Sequence, residues 1–321
     1  MKQTAVIIVT HNSARFIAAC LSSLGVDDAV VVVVDNGSAD DTKQIIRQYP
    51  HVRLIEADGN LGYGKALNLG ATQTDAKYLI LSNADVIYRE DTIVALVSFL
   101  KSDPKIAITA PQQISTNGDW QRSYEDAPGI WSGVKDVAGI SSAFRWYRHL
   151  RWPRRVDHRA KEVGYLTGAV LAVRREAFCE VGGFDEDFHF YGEDSDLCMR
   201  LRSAGWKVVF CPWAEVIHYG GGHSTQVDRS DKFARLLTHG QATLAKKHLP
   251  LWQAYLYAWM KRIYFQRLAL TLRLIRIFAP SSKNAQFSQR IWIMDTHTKL
   301  WAEQLGELRA KAPQAGRIGT C

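Results

Sequence analysis

Two short apolar runs near the N-terminus constrain this chain more than anything else in it. Ala5-Val6-Ile7-Ile8-Val9-Thr10 and Ala29-Val30-Val31-Val32-Val33-Val34 show no alternation of apolar and polar residues. Strands of that kind must be covered on both faces, the condition of a parallel sheet with helices on either side. Each run stops at polar residues, His11-Asn12-Ser13 after the first and Asp35-Asn36-Gly37-Ser38 after the second. Val52-Arg53-Leu54-Ile55 predicts a third strand, and Tyr78-Leu79-Ile80-Leu81-Ser82 a fourth that ends at Asn83-Ala84-Asp85. Helices are expected between them, one over residues 16–24 and one opened by a capping box of Ser38 and Asp41. This alternation makes an α/β, doubly wound sheet. Such sheets bind ligands at the carboxyl ends of their strands, where Thr10, Asn12, Asp35 and Asp85 all fall.

Residues 182–206, GGFDEDFHFYGEDSDLCMRLRSAGW, are the second constraint. Glu193-Asp194-Ser195-Asp196 opens an amphipathic helix, with Leu197 and Leu201 on one side and Gly205 as its stop. Carboxylates in a first helical turn gain a few tenths to about 1 kcal/mol each from the macrodipole. A capped helix accounts for that much. Phe188, Phe190 and Tyr191 set an aromatic wall just ahead of the acids, and charge beside such a wall points to a cleft.

Other readings of the sheet are weaker. A dinucleotide-binding domain needs GxGxxG directly after its first strand, and here that turn is Thr10-His11-Asn12-Ser13. The glycine-bearing segment 59–64 follows the third strand instead, and there is no P-loop. The five cysteines (Cys20, Cys179, Cys198, Cys211, Cys321) are scattered without a CxxC pair. That speaks for a reducing compartment and against a disulfide framework or zinc site. No leader peptide is expected at the N-terminus, and no uncharged apolar run reaches the roughly 18 residues of a membrane span.

With these segments in place, the chain resembles the inverting family 2 glycosyltransferases of GT-A fold, within them the bacterial rhamnosyltransferase-like group. The resemblance is carried by VIIVTHNS (6–13), VVVDNGSADDT (32–42), NLGYGKALNLG (60–70), LSNADV (81–86), GDWQRSYEDAPG (118–129), YLTGAVLAVRREAF (165–178), the 182–206 segment and VIHYGGGHS (216–224). It implies a Rossmann-like, mostly parallel sheet flanked by helices over residues 1–227; residues 228–321, which it does not cover, are expected to form a basic amphipathic helical extension. It also implies nucleotide-sugar contacts at Thr10, Asn12, Asp35, Lys65 and Asn83. Asn83-Ala84-Asp85 stands for the family's DXD-type motif, so a single carboxylate, Asp85, would hold Mg²⁺ or Mn²⁺. His218 matches the late histidine that completes the metal site, with His223 its competitor. Asp194 matches the catalytic base, and Glu193 beside it is placed to hold the acceptor. The implied reaction moves a sugar, rhamnose from dTDP-rhamnose by subgroup, onto a lipid-linked or cell-envelope glycan. A UDP-sugar donor, or a nucleotide-sugar-binding scaffold without turnover, is the alternative.

The chemistry makes the same demands of any such enzyme. A departing diphosphate needs a cation, and Mg²⁺ or Mn²⁺ accepts one Asp, one His, waters and phosphate oxygens. The attacking hydroxyl needs a base within hydrogen-bond reach. Direct in-line attack inverts the anomeric centre.

The net charge of +8 lies wholly in the last third, where residues 228–321 hold 16 Lys plus Arg against 5 Asp plus Glu. A near-neutral body with a basic extension implies a docking surface. Along 249–279, Trp252, Leu256, Trp259, Ile263, Leu270, Leu274 and Ile277 fall on one helical face, with Lys261, Arg262, Arg273 and Arg276 gathered on a flank and Arg267 breaking the pattern. These are features of a helix lying in a membrane surface; packing on the catalytic domain or a second subunit in a homodimer uses the same stripe. A cytoplasmic protein peripheral to the inner face of the membrane is the expectation. In residues 119–160, Trp120, Trp131, Trp146, Tyr147 and Trp152 are interleaved with Arg145, Arg148, Arg151, Arg154 and Arg155. An acceptor-side or lipid-facing loop is expected there; no RNA-binding pattern accompanies it, so no nucleic-acid partner is expected.

Overall fold

A computed structural model describes residues 2–25, 29–121, 123–125, 129–139, 158–188, 191–219 and 231–310. The chain forms two compact units, Met1–Ala127 with Trp152–Thr225, and Pro128–Arg151 with Gln226–Cys321.

The first unit is built on a mixed sheet. The two apolar runs are neighbouring interior strands, β1 (Thr4–Thr10) and β2 (Ala29–Asp35), joined in parallel by β3 (Val52–Glu56) and β4 (Tyr78–Asn83). The strands β5 (Val86–Tyr88), β6 (Ile106–Ile114), β7 (Trp120–Gln121), β8 (Tyr124–Glu125), β9 (Lys161–Glu162), β10 (Tyr165–Leu166), β11 (Val170–Arg174) and β12 (Lys207–His218) follow. The main sheet runs in the order β3-β2-β1-β4-β11-β6-β12-β5, with β11 antiparallel to β4 and β6, and β12 parallel to β6 but antiparallel to β5.

Among the described residues the helices of this unit are α1 (Ile17–Ser22), α2 (Thr42–Ile46), α3 (Tyr63–Ala71), α4 (Thr92–Ser102), α6 (Arg175–Glu180) and α7 (Glu193–Ser203); α5 (Ile130–Val137) belongs to the second unit. Alternate residues of β1 point into two separate apolar layers. Val6 and Ile8 pack with Ile17, Leu21, Leu96 and Leu100, while Ala5, Ile7 and Val9 pack with Leu67, Phe178, Phe184 and Leu197. Both faces are dry, as the unbroken apolar runs require.

The expected capping box does not form. The Ser38 hydroxyl accepts the Asn12 N–H at 2.8 Å, so it is committed across the loop, and α2 begins only at Thr42 without a side-chain cap. Asp40 takes the local role by accepting the Thr42 and Ala14 N–H groups at 3.1 and 3.0 Å. Gly37, with φ +80°, lies so close to the Gly59 backbone that a Cβ would sit 3.0 Å from it. Only glycine lets the loops after β2 and β3 meet there.

The second unit is helical: α5 with α8 (Asp231–His248), α9 (Leu251–Ile277) and α10 (Asn284–Ala310). The 249–279 stretch is one 27-residue helix, α9. It forms an antiparallel hairpin with α10, marked by Arg276–Ser288, Arg273–Asp295 and Tyr257–Trp301 contacts. Helix α5 precedes the boundary expected at residue 227 yet packs into this unit, with Gly133 against Met260 and Asp136 bonded to Lys261 at 2.8 Å. That pairing also corrects the expected basic flank. The Lys261 side chain is only 12% exposed, and although desolvation alone would lower its pKa, Tyr257 and Asp136 raise it by more, so it stays charged within the helical unit. No helix among the described residues is long and apolar enough to cross a membrane.

Candidate active site

The register of these interior strands gathers the first group of polar residues. β1 pairs with β2 so that Thr10 faces Asp35, and with β4 so that Val9 faces Asn83. Thr10 and Asp35 are both 1 % exposed. Asp35 Oδ2 accepts the Ser38 N–H at 3.0 Å, whereas Thr10 Oγ1 and Asp35 Oδ1 have no hydrogen-bond partner among the described residues. Each such buried atom costs about 1–3 kcal/mol unless a partner arrives.

Asn12 follows β1 at φ +50°, and its side-chain Oδ1 accepts the Ala39 N–H at 2.8 Å, tying the turn after β1 to the turn after β2. Asn36, which the sequence did not single out, ties the latter to the glycine segment: its Oδ1 accepts the Leu61 N–H at 2.8 Å and its Nδ2 donates to Asn60 Oδ1 at 3.1 Å. Lys65 lies exposed on α3 and pairs with Glu186 at 3.3 Å. Asn83 ends β4 with its N–H on the Ala169 carbonyl at 2.9 Å.

Asp85 and His218, far apart in sequence, meet where β4 and β12 end. His218 Nε2 is 3.5 Å from Asp85 Oδ1, both side chains largely buried, and the Tyr219 N–H donates to the Asp85 carbonyl at 3.0 Å. Gln121 of β7 lies on the other ring nitrogen, its Oε1 3.1 Å from His218 Nδ1. One carboxylate and one imidazole side by side suit a divalent cation that also takes phosphate and water oxygens. No cluster of three or more His, Cys, Asp and Glu side chains able to hold a metal occurs among the described residues. His223, the competing histidine, lies outside the described residues.

The acidic helix completes the group. Tyr191 and Gly192 both adopt left-handed backbone angles, φ +67° and +106°, to turn the chain into α7. Asp194 Oδ2 accepts the Gly168 N–H at 2.9 Å, and Oδ1 accepts the Ser195 N–H at 2.7 Å. Burial raises the Asp194 pKa, and these N–H bonds offset only part of the rise. Glu193 is buried, and its Oε2 has no partner among the described residues. Burial first and the Asp194 charge second push it well above the usual carboxylate range. Asp196 braces the helix from within. It holds Arg200 Nε at 2.7 Å, and Arg200 in turn donates to the Val181 carbonyl at 2.6 Å. Phe188 is buried; His189 and Phe190 lie outside the described residues, as do Trp146, Tyr147, Trp152, Arg145, Arg148, Arg151, Arg154 and Arg155.

Tyr63 joins the two acidic groups. Its hydroxyl donates to the Gly168 carbonyl at 2.6 Å. Its pKa lies well above the ordinary tyrosine value because of burial and the fields of Glu193, Asp194, Tyr88 and Asp85. Both Asp85 and the Glu193–Asp194 pair therefore act on one phenol. Tyr63 and Gln121 were not legible as site residues; the signal available was their position inside the NLGYGKALNLG and GDWQRSYEDAPG segments.

The model of "Glycosyl transferase family 2" matches residues 5–182, more than half of the chain. The chain belongs to glycosyl transferase family 2. A second model, "Glycosyl transferase family group 2", matches residues 130–296 of this glycosyltransferase. It is 33% identical over 277 residues to the N-acetylglucosaminyl-diphospho-decaprenol L-rhamnosyltransferase of Mycobacterium tuberculosis, covering 78% of this chain and 86% of the relative. It is 26% identical to the rhamnosyltransferase WbbL of Escherichia coli K12 over 67% of this chain and 82% of that one. Its fold matches the mannosyltransferase of Pyrobaculum calidifontis solved with GDP-Man and Mn²⁺, with a TM-score of 0.56, 20% identity and coverage of 96% of this chain and 86% of that chain. The glycosyltransferase thus has the GT-A fold: a mostly parallel sheet with flanking helices, followed by C-terminal helices.

Proposed function

We propose that this glycosyltransferase is an inverting enzyme that moves rhamnose from dTDP-rhamnose onto a polyprenyl-diphosphate-linked glycan of the cell envelope. The observation that carries the proposal is that His218 Nε2 lies 3.5 Å from Asp85 Oδ1, while Gly168 holds both Asp194 and the Tyr63 hydroxyl. Burial raises the pKa of Asp194 and of its neighbour Glu193. The donor and acceptor classes rest on the similarity to rhamnosyltransferases, one of them named for a decaprenol-linked acceptor.

In this reading the unpartnered Thr10 and Asp35 oxygens receive polar groups of the nucleotide. Asp85 and His218 would hold a divalent cation, which would neutralise charge on the leaving diphosphate. Asp194 takes the acceptor hydroxyl proton as the acceptor oxygen bonds to the anomeric carbon and the bond to the diphosphate oxygen breaks. A base with a raised pKa is suited to that proton transfer near neutrality. Glu193, holding its proton, can donate to the acceptor. Asn12 serves by shaping the turn beside Asp35, and Lys65 is available to the nucleotide only by leaving Glu186.

The C-terminal helices are assigned to an anionic membrane surface, where a lipid-linked acceptor resides. From residue 232 to residue 294 the chain has 11 Lys plus Arg and no Asp or Glu. The tip of the α9–α10 hairpin exposes Leu270, Leu274, Ile275, Ile277 and Phe278, with Phe278 88% exposed. Of the expected in-plane stripe, Leu256 and Ile263 are half-buried in the helical unit, whereas Trp252 and Trp259 are exposed along the helix and Leu270, Leu274 and Ile277 towards the tip. Apolar residues flanked by cations complement anionic lipid headgroups.

Thermal shifts with dTDP, UDP, GDP and CMP, each with and without Mg²⁺ or Mn²⁺, test the donor. A ligand at 100 times its Kd stabilises by about 2.7 kcal/mol, so a metal-dependent shift with dTDP is the expected result. A preference for UDP changes the donor and keeps the chemistry; no response to any of the four refutes nucleotide-sugar binding. Asp194→Asn should abolish transfer while leaving the nucleotide shift intact, and activity within tenfold of wild type removes Asp194 from the role. Liposome flotation with Leu274→Ser/Ile277→Ser/Phe278→Ser tests the membrane. Binding to anionic vesicles equal to wild type refutes the hairpin tip as the docking site.

A further inference from the structure

Gln121 grips His218 at two points. Its Nε2 donates to the His218 main-chain carbonyl at 3.1 Å, and its Oε1 stands 3.1 Å from ring Nδ1. The first bond fixes the orientation of the amide, because the reversed amide would set its oxygen against the carbonyl oxygen. An amide oxygen can only accept. Nδ1 therefore carries a proton, and in the neutral ring the lone pair lies on Nε2, the nitrogen facing Asp85 Oδ1 at 3.5 Å.

Gln121 is itself held from behind. β7 pairs Gln121 with Gln113 of β6. The Gln113 N–H donates to Ser123 Oγ at 3.0 Å, and its side-chain Nε2 donates to Thr167 Oγ1 at 3.0 Å. Thr167 precedes Gly168, whose N–H holds Asp194. The short strand that carries Gln121 is thus tied to the sheet and to the segment beside the acidic helix, and β12 brings His218 to it.

We propose that Gln121 is a positioning residue that fixes His218 as the Nδ1–H tautomer, so that Nε2 and Asp85 present a preformed pair of ligands to a divalent cation. The purpose of the pair rests on the cation reading given above; the tautomer does not. A metal-binding imidazole almost always donates its other N–H to an acceptor that sets its orientation. Here the acceptor is an uncharged amide, which orients the ring without adding negative charge. The site keeps one formal charge from Asp85, which suits a cation completing its shell with diphosphate oxygens.

The test compares wild type, Gln121→Leu and Gln121→Glu by long-range ¹H–¹⁵N correlation of the histidine rings, without metal or nucleotide and at a pH where the rings are neutral. His218 is assigned from the signals lost in His218→Asn. The wild type and Gln121→Glu, which keeps an acceptor, should show the Nδ1–H tautomer, and Gln121→Leu should shift to the Nε2–H form. Mn²⁺ alone is then titrated while its paramagnetic broadening of the His218 signals is followed. The concentration for half-maximal broadening should rise about 10- to 100-fold in Gln121→Leu and return towards wild type in Gln121→Glu. An unchanged tautomer and Mn²⁺ response in Gln121→Leu overturns the proposal. Mn²⁺ leaving His218 sharp in the wild type overturns the cation reading, and the tautomer spectra then decide the positioning of the ring by themselves.

Discussion

Tyr63 and Asp194 are connected through a single residue: Gly168 takes the Tyr63 hydroxyl on its carbonyl at 2.6 Å and gives its N–H to Asp194 Oδ2 at 2.9 Å. The phenol thereby helps to set the residue that sets the carboxylate. In Tyr63→Phe the carbonyl loses its donor, at a cost of about 1 kcal/mol. Gly168 gains freedom, and misplacement of a reacting group costs up to about a hundredfold in rate. A fall in kcat of about tenfold with an unchanged donor KM is expected from steady-state kinetics. A change confined to KM would place Tyr63 in donor binding instead.

Glu193 gives a pH test of the acidic helix. Its folded pKa lies above the unfolded value, so the folded state retains a proton that the unfolded chain releases from about pH 4.3 upward. Folding is then progressively penalised as pH rises through the window between the two values. Glu193→Gln keeps the shape of the protonated acid and cannot ionise. Its denaturant midpoint, measured without nucleotide or metal, should match wild type near pH 4.5 and exceed it at pH 7 by about 1 kcal/mol or more. A variant no more stable than wild type at pH 7 shows that Glu193 is ionised in the fold.

His297 makes the opposite prediction for the helical unit. It is buried, stacks on Phe265 at 4.4 Å and meets Thr238 Oγ1 at 2.9 Å. Burial first, and the Lys261 charge second, lower its pKa to about 4. The folded state holds fewer protons than the unfolded one between about pH 6.5 and 4, so stability is lost as pH falls through that window. The loss amounts to about 3 kcal/mol. His297→Gln should flatten this acid limb in pH-dependent melts followed by circular dichroism. An equally steep acid limb in the variant assigns the loss to another group.

Two glycines separate tight packing from mere proximity. A Cβ on Gly70 would press far inside contact distance of Ile7 Cγ2 and lie 3.1 Å from Val34 Cγ2, both stiff β-branched side chains under α3. Gly70→Ala should therefore cost about 1–3 kcal/mol. On Gly133 the Cβ would meet the terminal methyl of Met260 at 2.5 Å, and a methionine end can swing aside. There the helix preference for alanine, up to about 1 kcal/mol over glycine, should leave the melting temperature level or higher. Equal losses at both positions would show that Met260 is as fixed as Ile7.

What could be read from the sequence divides along physical lines. β1 and β2 were legible because a strand buried on both faces has to be apolar throughout, and Thr10, Asp35 and Asp85 because the ends of such runs are abrupt. Asp194 and Glu193 were legible as the opening of a helix behind an aromatic wall. Gln121 was not, since it sits on a two-residue strand whose place depends on β6 and β12. Ser38 could cap a local helix or reach Asn12, and only the folded loops decide between them. Lys261 follows the basic pattern of its own helix, and its partner Asp136 comes from a helix 125 residues earlier.

The register of β12 limits how this chain can vary. The strand pairs with β6 in one register from Val208 to Phe210, shifts, and resumes at Glu215, while Val216 to His218 also pair with β5. Side chains alternate faces along a strand, so removing one residue after the shift would bring a neighbour into the histidine's place and turn the imidazole to the opposite face. Insertions and deletions of odd length there cannot be absorbed without moving the histidine. Related chains that retain turnover should therefore conserve the spacing between Phe210 and His218 more strictly than the identity of the residues between them.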